Sequence, residues 1–181
     1  ATLGIVGFGR IGRAVARRAR GFSMRVIYYD PLAAPEAGLE AEAVDFDTLL
    51  READFVSIHT PLNAETRHLM NAGAFARMKP NAVLVNTARG PVVDVPALVE
   101  AVRNEQIAGA GIDVLPIEPC PVDDPVLHEP RIIVTPHLAA SSVEAVHDVR
   151  VRGAEEAFRV LSGHPPKYPV NAPVDPRNVR S

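Results

Sequence analysis

The sequence predicts an α/β fold: a doubly wound, parallel, six-stranded sheet with helices on both faces. Three observations carry that expectation. Six short apolar runs recur without polar alternation, the pattern of strands buried on both faces, and segments with helical start signals separate them. A G-x-G-x-x-G turn, within GIVGFGRIG at residues 4–12, joins the first run to the first helical segment.

The runs are LGIVGF (3–8), RVIYY (25–29), DFVSIH (54–59), AVLVN (82–86), AGAGIDV (108–114) and RIIVT (131–135). After the first comes RIGRAVARRARG, which ends at Gly21. FDTLLREA stands behind Asp45, AGAFARM behind Asn71 and VPALVEAVRNE behind Asp94, and each of these three residues carries a short side-chain oxygen that can accept a first-turn N–H. Pro96 falls in a first turn, where a missing N–H costs little. Strand, helix, strand at this rhythm calls for right-handed crossovers. The link over 115–130, LPIEPCPVDDPVLHEP, holds five prolines and is expected as an extended surface loop instead of a crossover helix. The chain thus divides into a sheet domain over 1–140, one long helix over 141–163 and an extended proline-rich arm over 164–181.

At 181 residues, 47% hydrophobic and 23% charged, the composition is that of an ordinary globular protein. With 19 Lys and Arg against 22 Asp and Glu, the formal charge of −3 gives no electrostatic reason to expect nucleic acid, and the short basic runs RRARG and VRVRG read as helix ends. No apolar run approaches the ~20 residues that cross a bilayer, and no leader pattern opens the chain. Cys120 is the lone cysteine, so no internal disulfide forms; a cytosolic location is expected.

The glycine turn has a mechanical job where it stands. Gly7 permits the tight turn, Gly9 lets backbone approach a pyrophosphate, and Gly12 lets helix and strand pack closely. Arg10 and Ile11 open the helix, where free N–H groups and the macrodipole favour phosphate. Asp30 ends the second strand, 18 residues after Gly12, where an acid can accept both ribose hydroxyls of an adenosine. Pro31 and Leu32 then supply no cation for a 2′-phosphate, so the turn predicts a Rossmann-type dinucleotide site for NAD over NADP. The plainer alternative is a glycine-rich turn beside a solvated acid.

Ligands of an open parallel sheet sit outside the carboxyl ends of its strands. The polar residues expected there are His59-Thr60-Pro61, Asn86-Thr87-Ala88-Arg89-Gly90, Asp113 and His137, with Glu118 in the proline loop. They suit hydride-transfer chemistry. A guanidinium can hold a carboxylate through two parallel hydrogen bonds, an imidazole can exchange a proton near neutrality, and a carboxylate beside that imidazole fixes its tautomer. Each residue also has a bland role: surface cation for Arg89, turn cap for Asp113, solvated acid for Glu118, structural histidine for His137. His59, His68, His128, His147 and His164 read as structural or surface residues, Cys120 as packing, and no metal site is expected.

TLGIVGFGRIG, YYDP, HTPLNAETRHLMN, LVNTARGPVVD, GAGIDVLPIEPCPVDDPVL and VTPHLA, in this order, resemble the NAD-binding domain of the D-isomer-specific 2-hydroxyacid dehydrogenase family over about residues 2–171. The resemblance implies that Arg89 binds the substrate carboxylate and polarises its carbonyl, that His137 is the acid/base, and that Glu118 is its carboxylate partner. It also places Asp113 on the nicotinamide carboxamide, Asp30 on the adenosine ribose and the Arg10 and Ile11 amides on the pyrophosphate. Gly7, Gly9, Gly12, Thr60, Pro61, Thr87, Ala88, Arg89 and His137 complete the expected cofactor contacts. The implied activity is hydride exchange between NAD and a small 2-hydroxy or 2-oxo acid such as glyoxylate, hydroxypyruvate or 3-phosphoglycerate. Similar formate dehydrogenases carry Gln where this chain has Glu118, which disfavours formate. An alternative in another class is an NAD(H)-sensing corepressor similar to the C-terminal-binding proteins, to which TLGIVGFGRIGRAVARRARGF is close. The family's substrate domain is built mostly from a segment before the first strand, whereas residue 1 here is Ala and that strand follows at once. The arm is therefore expected to return to a substrate domain whose first part lies outside these residues, and residues 1–181 alone are expected to bind NADH without turnover. The family also implies a homodimer.

Overall fold

A computed structural model describes residues 1–169. The apolar runs become strands: β1 (Thr2–Val6), β2 (Arg25–Tyr29), β4 (Phe55–Ile58), β5 (Val83–Asn86), β6 (Gly109–Ile112) and β7 (Ile132–Val134), with a short β3 (Glu42–Ala43) after β2. The sheet therefore has seven strands where the sequence predicts six. β3 escapes a search for apolar runs because it is an edge strand whose two residues are both exposed, with Glu42 ion-paired to Arg25 at 2.8 Å. Every pairing is parallel, in the order β3-β2-β1-β4-β5-β6-β7. The order reverses between β1 and β4. Such a switch point opens a crevice at the strands' carboxyl ends.

Capping fixes where the helices begin. α1 (Arg10–Ala19) starts from Gly9 with no side-chain cap. α2 (Phe46–Glu52), α3 (Ala72–Phe75) and α4 (Val95–Arg103) start from Asp45, Asn71 and Asp94, whose oxygens accept the N–H of Thr48 at 2.7 Å, Ala74 at 3.1 Å and Ala97 at 3.2 Å. The helices cover opposite faces. Ala16 and Ala19 of α1 pack with Ile5, Val26 and Tyr28, whereas Leu49, Phe75 and Leu98 of α2, α3 and α4 pack with Val6, Ile27, Ile58 and Leu84. Alternation along β1 and β2 sends neighbouring side chains to these two cores. The proline-rich link between β6 and β7 forms no α-helix; its one regular piece is a 3-10 turn, Pro125–His128, with Asp124 accepting the Val126 N–H at 3.0 Å.

The described residues fall into two units, divided between Ala139 and Ala140. The second contains α5 (Val143–Leu161), two residues shorter at each end than predicted, with Ser142 accepting the Ala145 N–H at 3.1 Å. No α5 residue is buried. From residue 170 on, the predicted arm lies outside the described residues. No helix among the described residues is long and apolar enough to cross a membrane.

Candidate functional site

Because the sheet is parallel, the residues after β1, β2, β4, β5, β6 and β7 all emerge along one edge. Gly7 turns the chain there. Its φ is +92°, and a Cβ at this position would stand 2.6 Å from the Thr60 nitrogen, so the turn after β1 presses against the loop after β4. A Cβ on Gly12 would lie 2.3 Å from the Gly7 oxygen, which is how closely α1 sits on the turn. A Cβ on Gly9 would meet nothing within 4 Å. This residue faces open space.

That space is a cleft of about 570 Å³ lined by Gly7, Gly9, Arg10, Asp30, Thr60 and Pro61, among others. The first-turn N–H groups of α1, those of Arg10, Ile11 and Gly12, have no intrahelical acceptor, and no acidic residue stands in that turn. Ile11 itself is exposed. Asp30 borders the cleft and braces it. Its Oδ2 accepts the Phe8 N–H at 2.7 Å, and its Oδ1 accepts those of Leu32 and Ala33 at 2.9 and 3.1 Å. Each carboxylate oxygen keeps further acceptor capacity. Phe8, 1% exposed, stacks on Tyr28 with ring centroids 3.8 Å apart, so the turn is anchored in the core behind it. An open cradle at Gly9, unpaired helix N–H groups and an acid at the second strand's end fit a dinucleotide.

After β5, the buried Asn86 clamps its own loop. Its Oδ1 accepts the Ala88 N–H at 3.0 Å and its Nδ2 donates to the Arg89 carbonyl at 3.0 Å. Thr87 and Arg89 are thereby held out at the surface, where the Arg89 guanidinium donates to the Ala88 carbonyl at 2.6 Å. Next door, a Cβ on Gly90 would fall 2.1 Å from the Leu115 carbonyl carbon, so the Arg89 loop runs directly against the start of the proline loop.

Asp113, only 5% exposed, organises the loop after β7. It accepts the Thr135 hydroxyl at 2.6 Å and the N–H groups of Leu138 and Ala139 at 2.8 and 2.9 Å. Burial by itself would raise this carboxyl, but those hydrogen bonds and the nearby His137 outweigh it and hold the group below its ordinary 3.8. His137 sits in the same loop with φ +57°, and its N–H donates to the Asp113 carbonyl at 2.9 Å. Its Nδ1 lies 2.8 Å from Glu118 Oε2, while Glu118 Oε1 accepts the Leu115 N–H at 2.8 Å. The His137 hydrogen bond, then that of Leu115, lowers the Glu118 carboxyl from its ordinary 4.5.

The structure thus brings Glu118, His137 and Asp113 together and sets the cleft residues along the same edge. No hydrogen bond or ion pair joins Arg89 to Glu118 or His137 among the described residues. Outside the cluster, His59 Nε2 lies 2.8 Å from Ser57 Oγ, and burial pushes its imidazole below the ordinary 6.5. Burial also raises the Cys120 thiol above 9.0, the setting of a packing residue and not of a nucleophile. Phe8 and Thr135 are positioning residues that the sequence does not single out, and Asn86, expected at the edge, has no such role in the sequence-derived set. Asn86 alone left a trace, as a polar residue ending an otherwise apolar strand.

The family model described as D-isomer specific 2-hydroxyacid dehydrogenase, NAD binding domain, matches residues 1–139. A glyoxylate reductase of Korarchaeum cryptofilum is 51% identical over 156 residues, covering 85% of this chain and 46% of the relative. A hydroxypyruvate reductase of Thermotoga maritima is 45% identical over 163 residues, covering 88% of this chain and 53% of that protein. The crystal structure of D-lactate dehydrogenase with NAD+ from Lactobacillus jensenii superposes with a TM-score of 0.86 at 35% identity, over 94% of this chain and 56% of the other. The chain spans about half the length of these relatives.

Proposed function

Since the chain belongs to the D-isomer-specific 2-hydroxyacid dehydrogenase family, we propose that it is the nucleotide-binding part of an NAD-dependent oxidoreductase that interconverts a small D-2-hydroxy acid and its 2-oxo acid, of the glyoxylate or hydroxypyruvate type. The observation that carries this is the His137–Glu118 pair, 2.8 Å apart, on the same sheet edge as the glycine cleft.

The roles follow from the chemistry of each group. The free N–H groups at the start of α1 take the pyrophosphate, and Asp30 accepts the adenosine ribose hydroxyls. Thr60, Pro61, Thr87, Ala88 and Asp113 complete the wall along the edge. Nicotinamide, when bound, supplies or takes the hydride. Arg89 holds the substrate carboxylate and polarises the neighbouring carbonyl. With Nδ1 engaged by Glu118, His137 has Nε2 free to give a proton to the carbonyl oxygen in reduction, or to take it from the hydroxyl in oxidation. Glu118 fixes the tautomer and the orientation of the ring.

The reductase names of the relatives favour an enzyme over the corepressor alternative. The part of the relatives' length that this chain does not span supports a second, substrate-holding domain in the same protein, and the family supports a homodimer. The lone Cys120 supports a cytosolic setting. A cleft for hydride transfer needs two walls that exclude water, so residues 1–181 alone bind NADH without turnover. The test is NADH oxidation by the intact gene product against glyoxylate, hydroxypyruvate and other 2-oxo acids, beside NADH titration of residues 1–181. Robust turnover of one acid is expected. Weak turnover of all of them, with NADH instead driving self-association and peptide binding, would overturn the enzyme in favour of the corepressor.

A further inference from the structure

Pro31 and Leu32 offer no cation to a 2′-phosphate, yet the folded chain brings one to that place from elsewhere. Arg13, in the second turn of α1, lines the nucleotide cleft together with Asp30. Both side chains hang from the same peptide segment: Phe8 donates its N–H to Asp30 Oδ2 at 2.7 Å and accepts Arg13 Nε on its carbonyl at 3.0 Å. Both also grip the loop after β2, Asp30 through the Ala33 N–H at 3.1 Å and Arg13 through the Ala34 carbonyl at 2.6 Å. A cation therefore stands beside the acid that would receive the ribose hydroxyls.

Each of the three Arg13 side-chain nitrogens donates one hydrogen bond. Beyond Phe8 and Ala34, the Arg13 guanidinium donates to Glu36 at 3.0 Å and lies over the Phe8 ring at 4.9 Å from its centroid. The other Glu36 oxygen takes Arg17 at 2.8 Å, so one carboxylate bridges two turns of α1. The Arg13 side chain is only 21% exposed, less than half the 51% of Arg17.

We propose that Glu36 is a specificity-determining residue, which occupies Arg13 Nη1 and offsets the charge of this cation beside Asp30, so that the cleft takes a 2′-hydroxyl nucleotide and rejects a 2′-phosphate. The inference rests on the dinucleotide-binding role proposed above and adds its regulation by a residue outside every motif in the sequence. Removing the Glu36 charge leaves Arg13 Nη1 without its acceptor and the guanidinium charge uncompensated, so Nη1 can donate to a phosphate while Nε and Nη2 stay on Phe8 and Ala34. The ion pair itself is partly exposed, and such pairs are weak, so the release is not opposed by a large energy.

The experiment is titration of the intact protein with NADH, NADPH, 5′-AMP and 2′,5′-ADP, read by nicotinamide fluorescence and by calorimetry, in wild type, Glu36→Gln, Glu36→Ala and the double variant Arg13→Gln/Glu36→Gln. Wild type is expected to favour NADH by at least about tenfold, a difference of ~1.4 kcal/mol. Either Glu36 variant is expected to gain about tenfold for NADPH and 2′,5′-ADP while NADH and 5′-AMP change by less than about threefold. The double variant should lose that gain. Unchanged NADPH affinity in both Glu36 variants, with NADH still bound, overturns the role of Glu36 and leaves the nucleotide site standing. A gain that survives loss of Arg13 overturns it too and assigns the phosphate to Arg10, which lines the cleft at the head of α1. Wild type that binds neither nucleotide removes this inference together with the function on which it rests.

Discussion

His137 Nδ1 and Glu118 Oε2 meet at 2.8 Å from two loops 19 residues apart in sequence, one after β7 and one rich in proline. Nothing local dictates that meeting. It exists because Leu115 holds Glu118 from one side and Asp113 holds the His137 loop from the other.

In the intact protein, His137→Ala should therefore lower kcat by ~10² or more, with the NADH dissociation constant within about threefold of wild type. Glu118→Gln, which keeps an acceptor for Nδ1 but removes the charge, should cost less, on the order of tenfold. Steady-state kinetics beside NADH titration check both. Turnover unchanged in His137→Ala would hand the proton to another group.

Asp113 should make the fold sensitive to acid. Its folded carboxyl is held below the ordinary 3.8, so the unfolded chain takes up a proton first as pH falls, and the stabilisation present at neutrality is lost as pH drops through the folded value. Melting temperature should be level from pH 7 to about 5 and fall below about 4. Asp113→Asn should melt lower at pH 7 and decline less steeply in acid; the flattening is partial, because Asp54 and Asp45 are held low in the same direction. Parallel curves for variant and wild type would assign the acid sensitivity elsewhere.

Two glycines of one motif should behave differently. Gly9→Ala adds a methyl group to open space, so melting should hardly move while NADH affinity falls about tenfold, where the backbone must approach phosphate. Gly7→Ala puts that methyl against the Thr60 nitrogen at φ +92° and should lower melting by several degrees. Thermal melts and NADH titration separate the two; equal loss of stability in both would contradict the open cradle at Gly9.

Asn86→Ala removes both ends of the clamp on the Arg89 loop inside a buried site and should cost ~1–3 kcal/mol of stability. In the intact protein it should raise KM for the 2-oxo acid more than it weakens NADH. Denaturant titration gives the first quantity and kinetics the second.

What was legible in the sequence depended on range. Strands buried on both faces announce themselves as apolar runs, and Asp45, Asn71 and Asp94 cap helices three residues ahead, so both could be seen locally. β3 could not, because an exposed edge strand needs no apolar side chain. The glycine turn was readable because its steric demands are local. The partners of Asp113 lie 22 to 26 residues away and those of Arg13 up to 23, distances over which no periodicity speaks. Motif positions thus showed which residues reach the edge. Only the fold showed what holds them there.

The left-handed backbone at His137 puts the chain at odds with its own thermal endurance. A histidine held at φ +57° carries a conformational cost on the order of 1 kcal/mol that glycine would not. A library randomised at this position and selected only for survival on heating should therefore drift from histidine towards glycine or asparagine, becoming hardier as it loses the imidazole that meets Glu118.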